Sequence, residues 1–116
     1  MRCTGRHTAL VAADITGPAI KTSPQYKASL AYAEATQKGD VAAQSPLSSR
    51  ATNERIASCP NPVAITERLK AVGVAAKAQL PKVHRIVERG NRAALVIDQR
   101  AWITMVKENQ EWKSRD

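Results

Sequence analysis

Phenylalanine is absent from this chain, and Tyr26, Tyr32, Trp102 and Trp112 are all the aromatic residues it has. Large buried surfaces must therefore come from Leu, Ile and Val, or be shared with a partner. Cysteine is as scarce. Cys3 and Cys59 stand far apart, which argues against a disulfide-framed domain and against a zinc ribbon. His7 and His84 add imidazoles, the other usual zinc ligand, but not at ligand spacing, so neither a metal nor a cofactor is expected. No apolar run approaches the ~20 residues of a membrane span. The patch from Leu10 to Ala13 is too brief for a signal-peptide core, and Asp14 interrupts it. The expected setting is the cytoplasm, with no membrane partner.

Acidic residues are the other shortage. Lys and Arg number 18 against 10 Asp and Glu, for a net charge of +8 and a pI of about 10.0. That balance favours an anionic partner, nucleic acid first. The excess is spread, with 7 Lys/Arg against 4 Asp/Glu up to Pro60 and 11 against 6 beyond it, so there is no dense basic tail. Signals for catalysis are missing as well. No nucleophile stands beside a base, no carboxylates are paired, and the five glycines are too scattered to form a phosphate loop. No catalytic residue is assigned, and the chain is not expected to be an enzyme.

What is present begins with room for one core, since 116 residues is near the size of a single domain. Ser23-Pro24 reads as a helix cap with proline in the first turn, and Gly39 as a stop, predicting a helix from Pro24 to Lys38. Its apolar stripe of Tyr26, Leu30 and Ala33 is thin, so it is expected to pack weakly or to form on a partner. Asp40 to Asn53 is small, polar and broken by proline, and reads as linker. A boundary near Cys59-Pro60 then separates a partly disordered extension, residues 1–60, from a domain spanning 61–116.

Asn61-Pro62 repeats the cap-plus-proline signal. Ile65, Leu69, Val72, Ala76 and Leu80 follow at helical spacing up to Pro81, with Gly73 costing roughly 1 kcal/mol against Ala. Val83 to Val87 and Ala93 to Ile97 read as strands joined by a turn at Arg89-Gly90-Asn91. Asp98 offers a helix cap, and Trp102, Met105, Val106 and Trp112 recur near helical spacing, which places Glu108 and Glu111 on a solvated face. The expected fold class is α+β, ordered helix, β-hairpin, helix. A two-stranded hairpin is marginal alone, so a homodimer joined through its sheet is expected.

Arg85-Ile86, the basic turn Arg89-Gly90-Asn91-Arg92, the strand Ala93-Ala94-Leu95-Val96-Ile97, and Asp98 with Trp102 together resemble the Phd/YefM (prevent-host-death) family of bacterial antitoxins, over Asn61 to Trp112. The resemblance implies a dimer of α/β units that binds operator DNA through basic residues, while the segment after the aromatic wraps a cognate protein toxin. Arg68, Lys70, Arg85, Arg89 and Arg92 are the candidates for the DNA surface, where Lys and Arg would meet phosphates. Trp102 stands where the family has a buried aromatic and is expected in the core. Met105 and Trp112 are expected to face the partner. A second reading stays open: a basic nucleic-acid-associated interaction or assembly subunit, since the charge alone does not choose DNA over RNA.

Overall fold

Four strands run consecutively at the end of the chain, and a fifth joins them from its beginning. The structure is a computed structural model and describes residues 12–115. Strand β1 (Ala12–Ile15) is followed by helices α1 (Ala19–Thr22), α2 (Pro24–Gln37), α3 (Val41–Gln44), α4 (Arg50–Ala57) and α5 (Pro62–Gln79). Then come β2 (Arg85–Arg89), β3 (Arg92–Ile97), β4 (Arg100–Glu108) and β5 (Glu111–Arg115). The sheet order is β1-β2-β3-β4-β5, every pair antiparallel. The class is α+β, with helices against one face of the sheet. Among the described residues no helix is long and apolar enough to cross a membrane. Cys3, His7 and Leu10 lie outside the described residues.

The helices start where capping side chains stand. Ser23 Oγ accepts from the Tyr26 amide at 3.1 Å, and Asn61 Oδ1 accepts from the amides of Val63 and Ala64 at 3.1 Å each. Each cap contributes about 1 kcal/mol, and proline follows both without loss because a first-turn N–H has no partner in any helix. The α2 stripe that looked thin is well buried. Tyr26, Ser29, Tyr32, Ala33 and Thr36 are all shielded, because α2 lies between α5 and the end of the sheet. Helix α5 runs unbroken through Gly73, and α2 passes close to it there.

Alternation along the strands builds the core. Ile86, Ala93, Leu95, Ile97 and Met105 point to the helical side, where they meet Ile20, Tyr26, Ala33, Leu80, Val83 and Trp112. Burying side chains of this size stabilises the fold by roughly 1.5–3 kcal/mol apiece.

The helix expected from Asp98 is not formed; its residues are β4 and β5. Asp98 has φ 55°, left-handed rather than the extended backbone an N-cap adopts, and it opens a two-residue turn with Gln99. From there Ile103 pairs with Leu95 and Met105 with Ala93. A second tight turn, Asn109-Gln110 with φ 52° and 67°, returns the chain as β5. The paired strands satisfy the backbone of β3 on its open edge, which a helix there would have left bare. Because β1 and β4 flank the hairpin within one chain, it is not the isolated two-stranded ribbon from which a second copy was expected.

The burial of the two tryptophans is the reverse of that expected. Trp112 is 8% exposed and in the core, while Trp102 is 51% exposed, beside the register shift opposite Leu95 and Val96. Met105, expected to face a partner, is 1% exposed and accepts a hydrogen bond at Sδ from Ser29 Oγ at 3.2 Å. Strand periodicity explains both buried residues: Ile103 and Met105 share the inner face of β4, as Trp112 and Ser114 share that of β5.

The expected linker, Asp40 to Asn53, is folded too. Asp40 caps α3 and Ser49 caps α4. The buried Gln44 donates to Ser48 and Asn53, and the Ser49 amide donates to the Ser114 carbonyl at 2.7 Å, fastening this segment along β5. Its small polar residues bond to one another instead of to water, which composition alone does not distinguish from a linker. Nor does Pro60 divide the molecule, since β1 pairs with β2 and α2 packs on α5 across it.

Candidate nucleic-acid interface

Because side chains alternate across a strand, burying Ile86, Leu95 and Met105 turns their neighbours to the opposite face of the sheet. That face carries Arg85, Val87 and Arg89 of β2, Arg92, Ala94 and Val96 of β3, Thr104 and Val106 of β4, and Lys113 and Arg115 of β5. All of these are half-buried or exposed. The pairing sets them in rows. Arg89, Arg92, Val106 and Lys113 form one row across four strands, and Val87, Ala94, Thr104 and Arg115 the next. Neighbouring strands lie about 4.8 Å apart, so each row is a ladder of closely set groups.

Arg89, Arg92 and Arg115 rim a shallow depression of about 330 Å³, floored by Val87, Ala94 and Thr104, with no carboxylate in its wall. The apolar floor keeps competing hydrogen-bond partners away from the guanidinium groups. Arg89 Nη1 is steadied by donating to the Glu88 carbonyl at 2.9 Å, and Thr104 Oγ1 donates to the Arg115 carbonyl at 2.8 Å. Guanidinium forks match phosphate and carboxylate oxygens two at a time, so three around one depression suit a multiply charged anion.

Acidic residues near this face are engaged at its margins. Asp14 Oδ2 receives Arg85 Nη2 at 3.0 Å. Both partners are half-exposed, so the pair contributes at most about 1 kcal/mol. Glu108 accepts from the Arg50 amide at 3.1 and 3.2 Å, and Glu111 lies 3.1 Å from Lys113 Nζ. Glu88, although on β2, turns to the helical side, where it accepts from Gln25 Nε2 at 2.7 Å.

Of the five residues assigned to a DNA surface, the structure brings Arg85, Arg89 and Arg92 together. Arg68 and Lys70 stand apart on α5, in the helical layer, with Lys70 3.8 Å from Glu67. Sequence reasoning missed Thr104, Lys113 and Arg115, because it read their segment as helix. The period-two spacing of Lys113 and Arg115 was the available signal. None of the residues in these two rows is aromatic, so the rows themselves offer no platform for stacked bases; the half-exposed Trp102 stands two positions from Thr104 on β4. Among the described residues, no group of three His, Cys, Asp or Glu is placed to hold a metal.

Compared with known proteins, the chain matches no protein-family model, no curated protein and no solved structure.

Proposed function

We propose that this chain binds the sugar–phosphate backbone of a nucleic acid through the open face of its sheet, without performing chemistry on it. One observation carries the reading: three arginines around a depression of about 330 Å³ whose wall holds no carboxylate. The net charge of +8 supports it by favouring encounter with polyanions. The depression has no aromatic in its wall, so affinity there comes from neutralising phosphates and varies little with sequence.

Counterion release sets the test. Neutralising three phosphates gives a slope of about −2.7 in log affinity against log salt, or roughly 40-fold weaker binding between about 50 and 200 mM salt. Fluorescence anisotropy with a labelled duplex of about 20 base pairs, and with a hairpin RNA, reads that slope directly. Arg92→Ala should lower it by about one, whereas Arg68→Ala, on the other layer, should leave it unchanged. Salt-independent binding, or equal loss from both variants, would overturn the proposal.

The hairpin of β2 and β3, which carries the Phd/YefM resemblance, favours a narrower form of the same reading: an operator-binding antitoxin that also neutralises a cognate protein toxin. That form requires a dimer with preference for a palindromic duplex, and one small protein recovered stoichiometrically from its native cells despite nuclease. Preference for structured RNA, with recovery of large-assembly components, supports a basic assembly subunit instead.

A further inference from the structure

Helix α5 packs along α2 and makes little contact with the sheet. The gap beneath it is a cleft of about 490 Å³, within the range of small-molecule sites. Tyr32 of α2, Val72 and Ala76 of α5, Trp102 and Ile103 of β4, and Arg115 of β5 form its wall. The lining is mainly apolar, and Arg115 is the one charged residue in it. A single exposed aromatic side chain on a protein surface needs no explanation. Trp102, however, lies on the wall of this cleft, at the point where the pairing of β3 and β4 shifts register between Leu95 and Val96. Register shifts of this kind re-aim a side chain, and they recur beside binding sites.

We propose that this cleft binds a small amphipathic anion: a flat or acyl apolar body against Trp102 and Ile103, with a carboxylate or sulfonate held by Arg115. Charge complementarity chooses the sign, since a cationic ligand would meet Arg115 and find no acidic residue in the wall. The indole supplies a broad apolar plane, and the guanidinium supplies two parallel donors. Arg115, at the end of β5, borders both this cleft and the arginine-rimmed depression, whereas Trp102, Val72 and Ala76 line the cleft and not the depression, so Arg92→Ala should weaken nucleic-acid binding and leave the cleft's ligand in place.

The experiment titrates the full chain with 8-anilinonaphthalene-1-sulfonate and with N-phenyl-1-naphthylamine, the same ring system without the sulfonate, following dye emission and tryptophan quenching. The expected result is saturable one-site binding of the sulfonate, at least tenfold tighter than the neutral dye. Arg115→Gln should remove that difference. Ala76→Phe should occlude the cleft and weaken the sulfonate at least tenfold. Ala75→Phe, at an exposed position of the same wall, repeats the test if the first variant fails to fold. Equal affinity for the two dyes, binding that never saturates, or unchanged binding in a folded filling variant would overturn the proposal.

Discussion

Replacing Gly73 with alanine should destabilise this protein, although alanine is the better helix former. A Cβ added at Gly73 would lie 2.2 Å from the Gln37 amide nitrogen, 2.7 Å from its Cα and 2.6 Å from Thr36 Oγ1. Two of those atoms are backbone and cannot rotate away. Thr36 Oγ1 is itself fixed by donating to the Tyr32 carbonyl at 2.7 Å. Ordinary carbon contacts are about 3.5–4.0 Å, so α2 must move by about 1 Å relative to α5. Helix propensity returns about 1 kcal/mol. Overpacking that displaces backbone costs about 1–3 kcal/mol and sometimes more. With backbone contacts this short the cost falls at the upper end, about 2–3 kcal/mol, so the expected net loss is about 1–2 kcal/mol, or roughly 3–12 °C in Tm for a domain of this size. Equilibrium urea unfolding measures it as a lower midpoint at unchanged slope. Ala75→Gly, exposed on the same helix, isolates the propensity effect at about 1 kcal/mol. If Gly73→Ala is as stable as the parent chain or more so, the close crossing of α2 and α5 is wrong.

Trp112→Ala should cost about 3–5 kcal/mol and Trp102→Ala under about 1 kcal/mol, because only the first empties a core site; thermal unfolding of the two variants side by side separates them, and the reverse order would refute β5. Asn61→Ala removes an acceptor shared by two amides and should cost about 1 kcal/mol by urea titration. Gln110→Gly should stabilise by about 0.5–1 kcal/mol, since a left-handed residue other than glycine is strained there; no gain in Tm would argue against the β4–β5 turn.

The legible parts of the fold were those whose signals are local. Asn61-Pro62 and Pro81 bracket α5, and Ser23-Pro24 opens α2, because capping and the missing proline N–H act within one turn. The first hairpin was legible because Gly90, at φ 60°, is the residue its turn requires. The second and third turns were not. They place Asp98, Asn109 and Gln110 at positive φ with no glycine; Asp and Asn tolerate that region but signal it more weakly than glycine, and Trp102, Met105 and Val106 fell by coincidence near helical spacing. β1 was invisible because four residues carry little pattern and its partner strand lies some seventy positions on. The candidate site followed the same division. Arg85, Arg89 and Arg92 were found on the legible hairpin. Thr104, Lys113 and Arg115 depended on strands that the spacing concealed, and Arg68 and Lys70 were separated from them by a tertiary arrangement that no periodicity encodes.

The most direct measurement is a nucleic-acid titration of the uniformly labelled protein followed by amide chemical shifts. The largest changes should fall on the outer face of the sheet, at Val87, Arg89, Arg92, Ala94, Thr104 and Arg115, while amides around Arg68 and Lys70 on α5 stay still. Changes concentrated on α5, or none at low salt, would contradict nucleic-acid binding by this face.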